Sequence, residues 1–402
     1  MISRDDALNI ILQETPLGNV EEKHILDSLN RVLSEDIYSK DTLPPFSKSA
    51  MDGYAIKSEE TAEALREAPI EFNIKGIIKA GDFFKGELQK GEAIRIMTGA
   101  PLPKGADAVI QFEKVKAEDN ILFVYDKVKA YRNVIKRGEE INSGDLALAK
   151  GTVIRPFEVG LLASLGYSKI HVYRTPTVAL IITGDELINI EEELYQGKIR
   201  NSNEYTLISL LKNAGLEPIS FGLVKDNKKL IKEKIEEALK VSDIVVTSGG
   251  ASKGDYDFVE DVLMELAADI KFKSVAIKPG KPLGFATIKD KLFFSLPGNP
   301  LAAITTFQEF IIPACDKFMG KKRYTDILPV ILKDDYNFKK GKRMYIYVNI
   351  QKVNGAYYGY KIGWQSSSGL ASVVEANGVV IVPEEKSCAK SGEILNGYFI
   401  FS

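Results

Sequence analysis

Cysteine, histidine and tryptophan are nearly missing from this chain: 402 residues carry two, two and one of them. Cys315 and Cys388 stand far apart with no CxxC pair, which removes a zinc cluster and a disulfide framework and makes the cytosol the expected compartment. His24 and His171 are too few for a multi-histidine metal site and a poor basis for Ser/His/Asp chemistry. Charge of one sign is missing too. Fifty-three Lys and Arg against 55 Asp and Glu leave a net charge of −2, so no global positive field draws in nucleic acid or an anionic membrane, and any anion site must be local. Apolar runs stay short of the ~18 residues of a membrane span; the longest, such as Thr177 to Thr183, are strand-sized. Asp5 and Asp6 come early, and an amphipathic stretch from Ala7 to Leu12 stands where a signal core would be, so no export signal is expected.

What is present reads as modular. At ~150 residues per domain the length suggests two to four domains, and 45% hydrophobic with 27% charged residues suits folded cores. From about residue 177 to 320, apolar runs (Val178 to Ile182, Pro218 to Val224, Asp243 to Thr247, Phe272 to Ile277, Phe293 to Leu296) alternate with helical stretches at Asn203 to Ala214, Lys228 to Val241, Phe258 to Ala267 and Pro300 to Phe318. That alternation predicts a doubly wound, mostly parallel α/β sheet. Residues 70 to 155 are broken by regularly placed glycines, among them Gly76, Gly91, Gly105 and Gly144, and predict a β-rich domain. From about 325 onward, alternating runs with Gly-containing turns predict a small C-terminal β domain, barrel-like in kind.

Ligands of an open α/β sheet gather beyond the carboxyl ends of its strands. Four loops there stand out: Thr183-Gly184-Asp185-Glu186, the run Ser248-Gly249-Gly250-Ala251-Ser252-Lys253-Gly254, Lys278-Pro279-Gly280-Lys281, and Pro297-Gly298-Asn299-Pro300. Glycines in the second can let backbone N–H groups approach a phosphate, although Asp255 breaks the Walker pattern and no GxGxxG is present; a plain glycine turn explains the loop as well. Lys278 and Lys281 can be aimed at one anion or lie as surface lysines. Asn299-Pro300 suits a helix start, Asp226 a cap for the helix at 228, and Asp257 with Glu260 a capping box. Carboxylates interleaved with anion-binding loops also suit a metal-bridged phosphate site, with Mg²⁺ the fitting cation. Apart from these lies the proline-stiffened stretch Leu43 to Ala55, in which Asp52 precedes Gly53; a linker is the plainer account.

The run Ser49-Ala-Met-Asp-Gly-Tyr-Ala55 resembles the signature of the molybdopterin molybdenumtransferases, the insertion enzymes of molybdenum cofactor synthesis, found also in the E domain of gephyrin. Arg95 to Pro101 with Gly105-Ala-Asp107, Thr183 to Leu187, Ser248 to Gly250 with Gly254, Lys278 to Pro282, Pro297 to Pro300 and Gln365 to Gly378 are similar to the family's other motifs, in the same order. Seven motifs in order span nearly the whole chain.

The resemblance implies a domain plan: an N-terminal helix (1–20) packing on the α/β domain (177–322), a linking domain (21–50 and 145–176), a β-rich domain carrying Asp52 and Thr98 (51–144), and a C-terminal β domain (323–402). It implies a cytoplasmic homodimer with its active site at the subunit interface, without nucleic acid or membrane. Molybdopterin adenylyltransferase and molybdoenzyme maturation proteins are the partners such a step implies. The implied reaction takes molybdate and adenylylated molybdopterin as substrates, uses Mg²⁺ and releases AMP. Asp52, Glu186, Asp226 and Asp257 are the candidates for proton transfer, the last three also for Mg²⁺. Thr98, Ser248, Gly249, Gly250, Ser252, Lys278, Lys281, Pro297, Gly298, Asn299, Pro300, Ser367 and Ser368 are the candidates for binding phosphate, molybdate or pterin. Three positions depart from the family pattern: Glu140 replaces an aspartate, and Tyr347 and Gly369 stand where arginines are common, which leaves Arg343, the serines or another group to recruit molybdate. The competing readings are the adenylylating enzyme one step earlier, a tungstate-handling variant, and a non-catalytic scaffold.

Overall fold

The computed structural model describes residues 1–249, 258–322, 326–363 and 369–400. They form two compact units, one of Met1–Ser34, Gly151–Arg155 and Lys169–Ser402, the other of Glu35–Lys150 and Pro156–Ser168.

In the first unit the α/β sheet has, among the described residues, six strands: β1 (Val178–Thr183), β2 (Pro218–Val224), β3 (Ile244–Ser248), β4 (Asp269–Phe272), β5 (Gly284–Ile288) and β6 (Lys291–Leu296), in the order β2-β1-β3-β6-β5-β4. The first four in that order are parallel, β5 runs antiparallel to β6, and β4 runs antiparallel to β5. Side chains of a strand alternate between faces, and both faces of β1 are apolar. Val178, Leu180 and Ile182 join a core with Leu207 and Leu211 of helix α2 (Ser202–Asn213) and Ala7 and Ile11 of helix α1 (Arg4–Glu14). Ala179 and Ile181 join the opposite core with Ile231, Ile235 and Ala238 of helix α3 (Lys228–Val241) and Val259 and Val262 of helix α4 (Phe258–Glu265). The apolar runs therefore become central strands covered on both sides.

Two expectations are corrected. The run 272–277 is not a strand of this sheet: β4 ends at Phe272, and Ile277–Lys278 pairs instead with Arg343–Val353 of the C-terminal domain, Arg343 N–H donating to the Ala276 carbonyl at 2.8 Å. Strand β5, absent from the apolar runs read in the sequence, joins β6 in a hairpin turned through Lys289 (φ +57°) and Asp290, a dipeptide without the Asn-Gly chemistry that marks such turns in a sequence. Asp226 does not cap α3 either; Asn227 does, its side chain accepting from the N–H groups of Lys229 and Leu230, because one position further along its carbonyl oxygen reaches the helix's orphan donors.

The helical stretch 300–318 is continuous but changes pitch: helix α5 (Pro300–Thr306), a π turn (Phe307–Ile311), then Ile312–Phe318. The π turn carries buried Glu309, whose carboxylate accepts from Arg4 Nη2 at 2.8 Å, Tyr345 Oη at 2.8 Å and Tyr398 Oη at 2.9 Å. One buried carboxylate thus ties the N-terminal helix to the C-terminal domain, whose strands Leu328–Leu332, Arg343–Val353, Ala356–Lys361, Gly378–Val382 and Ile394–Phe399 close into a barrel.

The second unit is built on a mixed sheet in the order Ala108–Gln111, Gly53–Ile56, Glu92–Ile96, Ile70–Ile78, Ile121–Val124, Val115–Glu118. Gly53 is opposite Ile96 in antiparallel register, and a Cβ on Gly53 would lie 1.9 Å from the Ile110 carbonyl oxygen, so glycine is obligatory there. This pairing sets Asp52 against the loop that carries Thr98.

Candidate functional site

Parallel register brings the carboxyl ends of β1, β2, β3 and β6 to one edge: Thr183 lies opposite Val224, Ile182 opposite Ser248, and Ser248 opposite Leu296. Gly249 follows at φ +102°, its N–H donating to the Leu296 carbonyl at 3.3 Å; a Cβ here would stand 2.0 Å from the Thr183 carbonyl oxygen. A Cβ on Gly298 would lie 3.7 Å from Gly249 Cα. The loops after β1, β3 and β6 therefore meet backbone to backbone, an approach only glycine permits at 249.

Asn203, on the first turn of α2, fastens this junction. Its Nδ2 donates to Ser248 Oγ at 2.9 Å and to the Gly298 carbonyl at 2.7 Å, while its buried Oδ1 has no partner among the described residues. Thr183 Oγ1 and Thr247 Oγ1 are also buried and unpartnered among the described residues. Orphan polar atoms are uncommon in folded proteins, and three at one sheet edge suit a polar ligand. In the sequence Asn203 reads as an ordinary helix residue; the one cue to it is a second asparagine two positions after Asn201, which caps the helix.

Acids gather at the adjoining end. Asp185 N–H donates to Asp226 Oδ2 at 3.1 Å, and Asp226 N–H donates to Asp185 Oδ1 at 3.2 Å. Burial, reinforced by the charges of Asp185 and Glu186, pushes the Asp226 carboxyl above its ordinary range. Its Oδ1 is buried without a partner among the described residues. Glu186 folds back over Gly184, where a Cβ would lie 2.7 Å from Glu186 Oε2. The described residues hold no ready cluster of three or more His, Cys, Asp or Glu for a metal ion. Even so, hard carboxylate oxygens around one unsatisfied atom are the donor chemistry that Mg²⁺ takes.

Lys278 and Lys281 flank a turn packed on α5: a Cβ on Gly280 would meet Thr306 Cγ2 at 2.6 Å. Asn299 holds the N-cap position of α5, with Pro300 in the first turn. Asp257, Gly250, Ser252, Ser367 and Ser368 lie outside the described residues.

In the second unit, Asp52 Oδ1 accepts from Thr98 N–H at 2.7 Å and from Thr98 Oγ1 at 2.8 Å. These two bonds, the backbone one first, hold the Asp52 carboxyl below the ordinary carboxylate range. The two candidates are a pair, and Asp52 is ionised at neutral pH.

The departures at the C-terminal domain also find places. Tyr347 is buried in the core, its hydroxyl 2.9 Å from Thr305 Oγ1, and burial pushes its phenol up. Arg343 is already committed, with Nη1 and Nη2 on the Asp5 carboxylate at 2.9 and 2.8 Å and Nε on Glu384 at 3.0 Å. Neither offers a cation to an oxyanion.

Comparison with known proteins agrees with this architecture. Residues 2–166 match the MoeA N-terminal region (domain I and II), 179–317 a probable molybdopterin binding domain, and 329–398 the MoeA C-terminal region (domain IV). The chain is 36% identical over 400 residues to a molybdopterin molybdenumtransferase of Staphylococcus epidermidis, covering 98% of this chain and 94% of that one. It is 36% identical over 403 residues to a protein of the same name from Nostoc sp., covering 98% and 92%. A crystal structure of a molybdopterin biosynthesis moeA protein from Pyrococcus horikoshii superposes with a TM-score of 0.86 at 31% identity, covering 100% of both chains. With all three regions matched and similarity along its full length, the chain belongs to the molybdopterin molybdenumtransferase (MoeA) family of transferases.

Proposed function

We propose that the chain transfers molybdenum from molybdate to adenylylated molybdopterin and releases AMP with the help of Mg²⁺. The observation that carries this reading is the meeting of acids and glycine turns at one sheet edge: Asp226, with its unpartnered buried oxygen, lies beside the loops that Gly249, Gly298 and Asn203 bring together. A nucleotide-tagged pterin needs this combination, with backbone donors for phosphate and carboxylates for a bridging cation.

The residues divide the work by charge. Asn203, Ser248 and the glycine turns position the nucleotide. Lys278 and Lys281 hold oxyanion charge. Glu186, Asp226 and, from outside the described residues, Asp257 would hold Mg²⁺, which when bound screens the phosphates against an incoming water. Replacing one oxo group of molybdate by two dithiolene sulfurs releases one oxide and two thiol protons, which together leave as one water. An ionised carboxylate can accept a thiol proton and return it to that oxide, and Asp52, kept ionised by Thr98, suits the task. The proposed working form is a cytosolic homodimer in which Asp52 and Thr98 act on the partner subunit's α/β domain.

Incubation with adenylylated molybdopterin and Mg²⁺, with and without molybdate, tests the reading: AMP should appear only when molybdate is present. Pyrophosphate formed from ATP and molybdopterin would assign the earlier, adenylylating step instead. Adding tungstate in competition reads out which oxyanion the site prefers.

A further inference from the structure

Pro313 explains why the helical stretch 300–318 widens at Phe307–Ile311. It has no N–H to give the Glu309 carbonyl four residues back, and its ring crowds that carbonyl, so the backbone takes a longer step in which Ile312 N–H reaches the Phe307 carbonyl. Glu309 sits on this π turn.

The strand Arg343–Val353 faces two cores. Met344, Ile346 and Val348 fill the barrel, while Tyr345 and Tyr347, alternate residues of the opposite face, join the core that holds Phe307 and Phe310. Tyr347 lies opposite Val379, and Val379 opposite Tyr398, so Tyr398, two strands away, stands on the same wall. Directed hydrogen bonds cross that wall. Glu309 Oε1 accepts from Tyr398 Oη at 2.9 Å, and Oε2 accepts from Tyr345 Oη at 2.8 Å and from Arg4 Nε and Nη2 at 3.0 and 2.8 Å. Thr305 Oγ1 meets Tyr347 Oη at 2.9 Å one turn earlier, and Asp5, the next residue of α1, holds Arg343.

Apolar contact is non-directional and would let a barrel roll on the helix, whereas one carboxylate serving two barrel strands and α1 at hydrogen-bond distance admits one orientation. A buried ion pair adds little to stability and is best attested as a device of register.

We propose that Glu309, presented by the π turn and paired with Arg4, is a positioning residue that sets the orientation of the C-terminal barrel on the α/β domain. The same helical stretch begins at Asn299–Pro300, and the segment containing Ser367 and Ser368 joins two barrel strands in sequence. Barrel orientation therefore governs molybdate affinity, a consequence that rests on the proposed function; the positioning itself does not.

Spin-label distance measurement on the full-length protein tests it, with labels at Val241→Cys on α3 and Ile394→Cys on the barrel, both exposed positions. A Cys388→Ser background leaves buried Cys315 as the native thiol, and dilution with unlabelled protein restricts the reading to pairs within one chain. Wild type should give one narrow distribution. Glu309→Gln, which keeps the volume and drops the charge, and Arg4→Met with Glu309→Met, which replaces the pair by apolar side chains, should each broaden it at least twofold or move its mean. Tyr398→Phe, which deletes one donor and almost no volume, should move it too, and decides the matter if the charge variants do not fold. In AMP release, the molybdate concentration for half-saturation should rise at least fivefold in Glu309→Gln, with the saturating rate within twofold of wild type. A folded variant that melts lower yet keeps the wild-type distribution makes Glu309 a merely structural residue and overturns the inference. A broadened distribution in a protein whose wild type releases no AMP supports the positioning and refutes the proposed function; an unchanged distribution beside molybdate-dependent release refutes the positioning alone.

Discussion

Asp185 and Asp226 each accept, on a carboxylate oxygen, the backbone N–H of the other, at 3.2 and 3.1 Å. This reciprocal pair pins the loop after β1 to the loop after β2 and sets a second acid beside Asp226, whose own burial already disfavours charge. Two carboxylates so placed repel each other when both are ionised, and a cation between them would relieve that repulsion, which is the premise of the proposed Mg²⁺ role.

The first prediction concerns Asp226. Its carboxyl stands above the 3.8 of an unperturbed aspartate in the fold, so the folded chain binds this proton more tightly than the unfolded chain does. The contribution to stability is fully present below about pH 4, the unfolded value, and is lost as pH rises through the raised value. Asp226→Asn should therefore match or exceed the wild-type melting temperature at pH 7 without Mg²⁺, and should lose the stabilisation that Mg²⁺ gives the wild type. Melts across pH, with and without the ion, check both; a less stable variant that still responds to Mg²⁺ would refute the assignment.

Gly249→Ala should cost about 2–4 kcal/mol in urea unfolding. Both the φ of +102° and the 2.0 Å approach to a carbonyl oxygen oppose a Cβ, and backbone cannot swing aside as a side chain can. A loss below about 0.5 kcal/mol, the range of ordinary surface changes, would show that the loop has room.

Thr98→Val removes the hydroxyl donor to Asp52 and leaves the backbone donor in place. The Asp52 carboxyl should then titrate at higher pH than in the wild type, though still below an unperturbed aspartate, and molybdate-dependent AMP release should shift its acidic limb upward with it. Carbon-detected NMR titration reads the first and a pH–rate profile the second. An unmoved Asp52 titration would mean that the backbone bond alone sets its charge.

Parts of this were legible in the sequence and parts were not, for physical reasons. Strand runs such as 178–182 and the helix at 228–241 announced themselves because burial on one or two faces imposes a period on apolar residues. The hairpin 284–296 was hidden, since its turn is Lys-Asp, and the 277–278 strand belongs to a sheet whose other strands lie far along the chain. In the site, the glycine turns are legible from their place after predicted strands and Asp226 from its place before a predicted helix, while Asp52 and Thr98 gain a role only from the family resemblance. Asn203 is not, because its importance depends on a neighbour distant in sequence, Gly298. Asp226 as a cap failed by one residue, a margin that local pattern cannot resolve.

Tyr347→Arg, which restores the residue common in the family, should not strengthen oxyanion binding here. The tyrosine is 3% exposed and its hydroxyl meets Thr305, so an arginine would be forced to bury an unpaired guanidinium, at a cost of about 3–5 kcal/mol. Denaturant unfolding with a parallel molybdate titration checks it; a stable variant with tighter molybdate binding would show that the barrel edge opens to the site.

The most direct test of the central claim, that this sheet edge unites an oxyanion with an adenylylated pterin, is AMP release from adenylylated molybdopterin in Mg²⁺ as molybdate is titrated. The account expects release to rise from near zero and saturate with molybdate, and to fall at least tenfold in Lys278→Ala. Release that proceeds equally without molybdate, or that ignores Lys278, would contradict it.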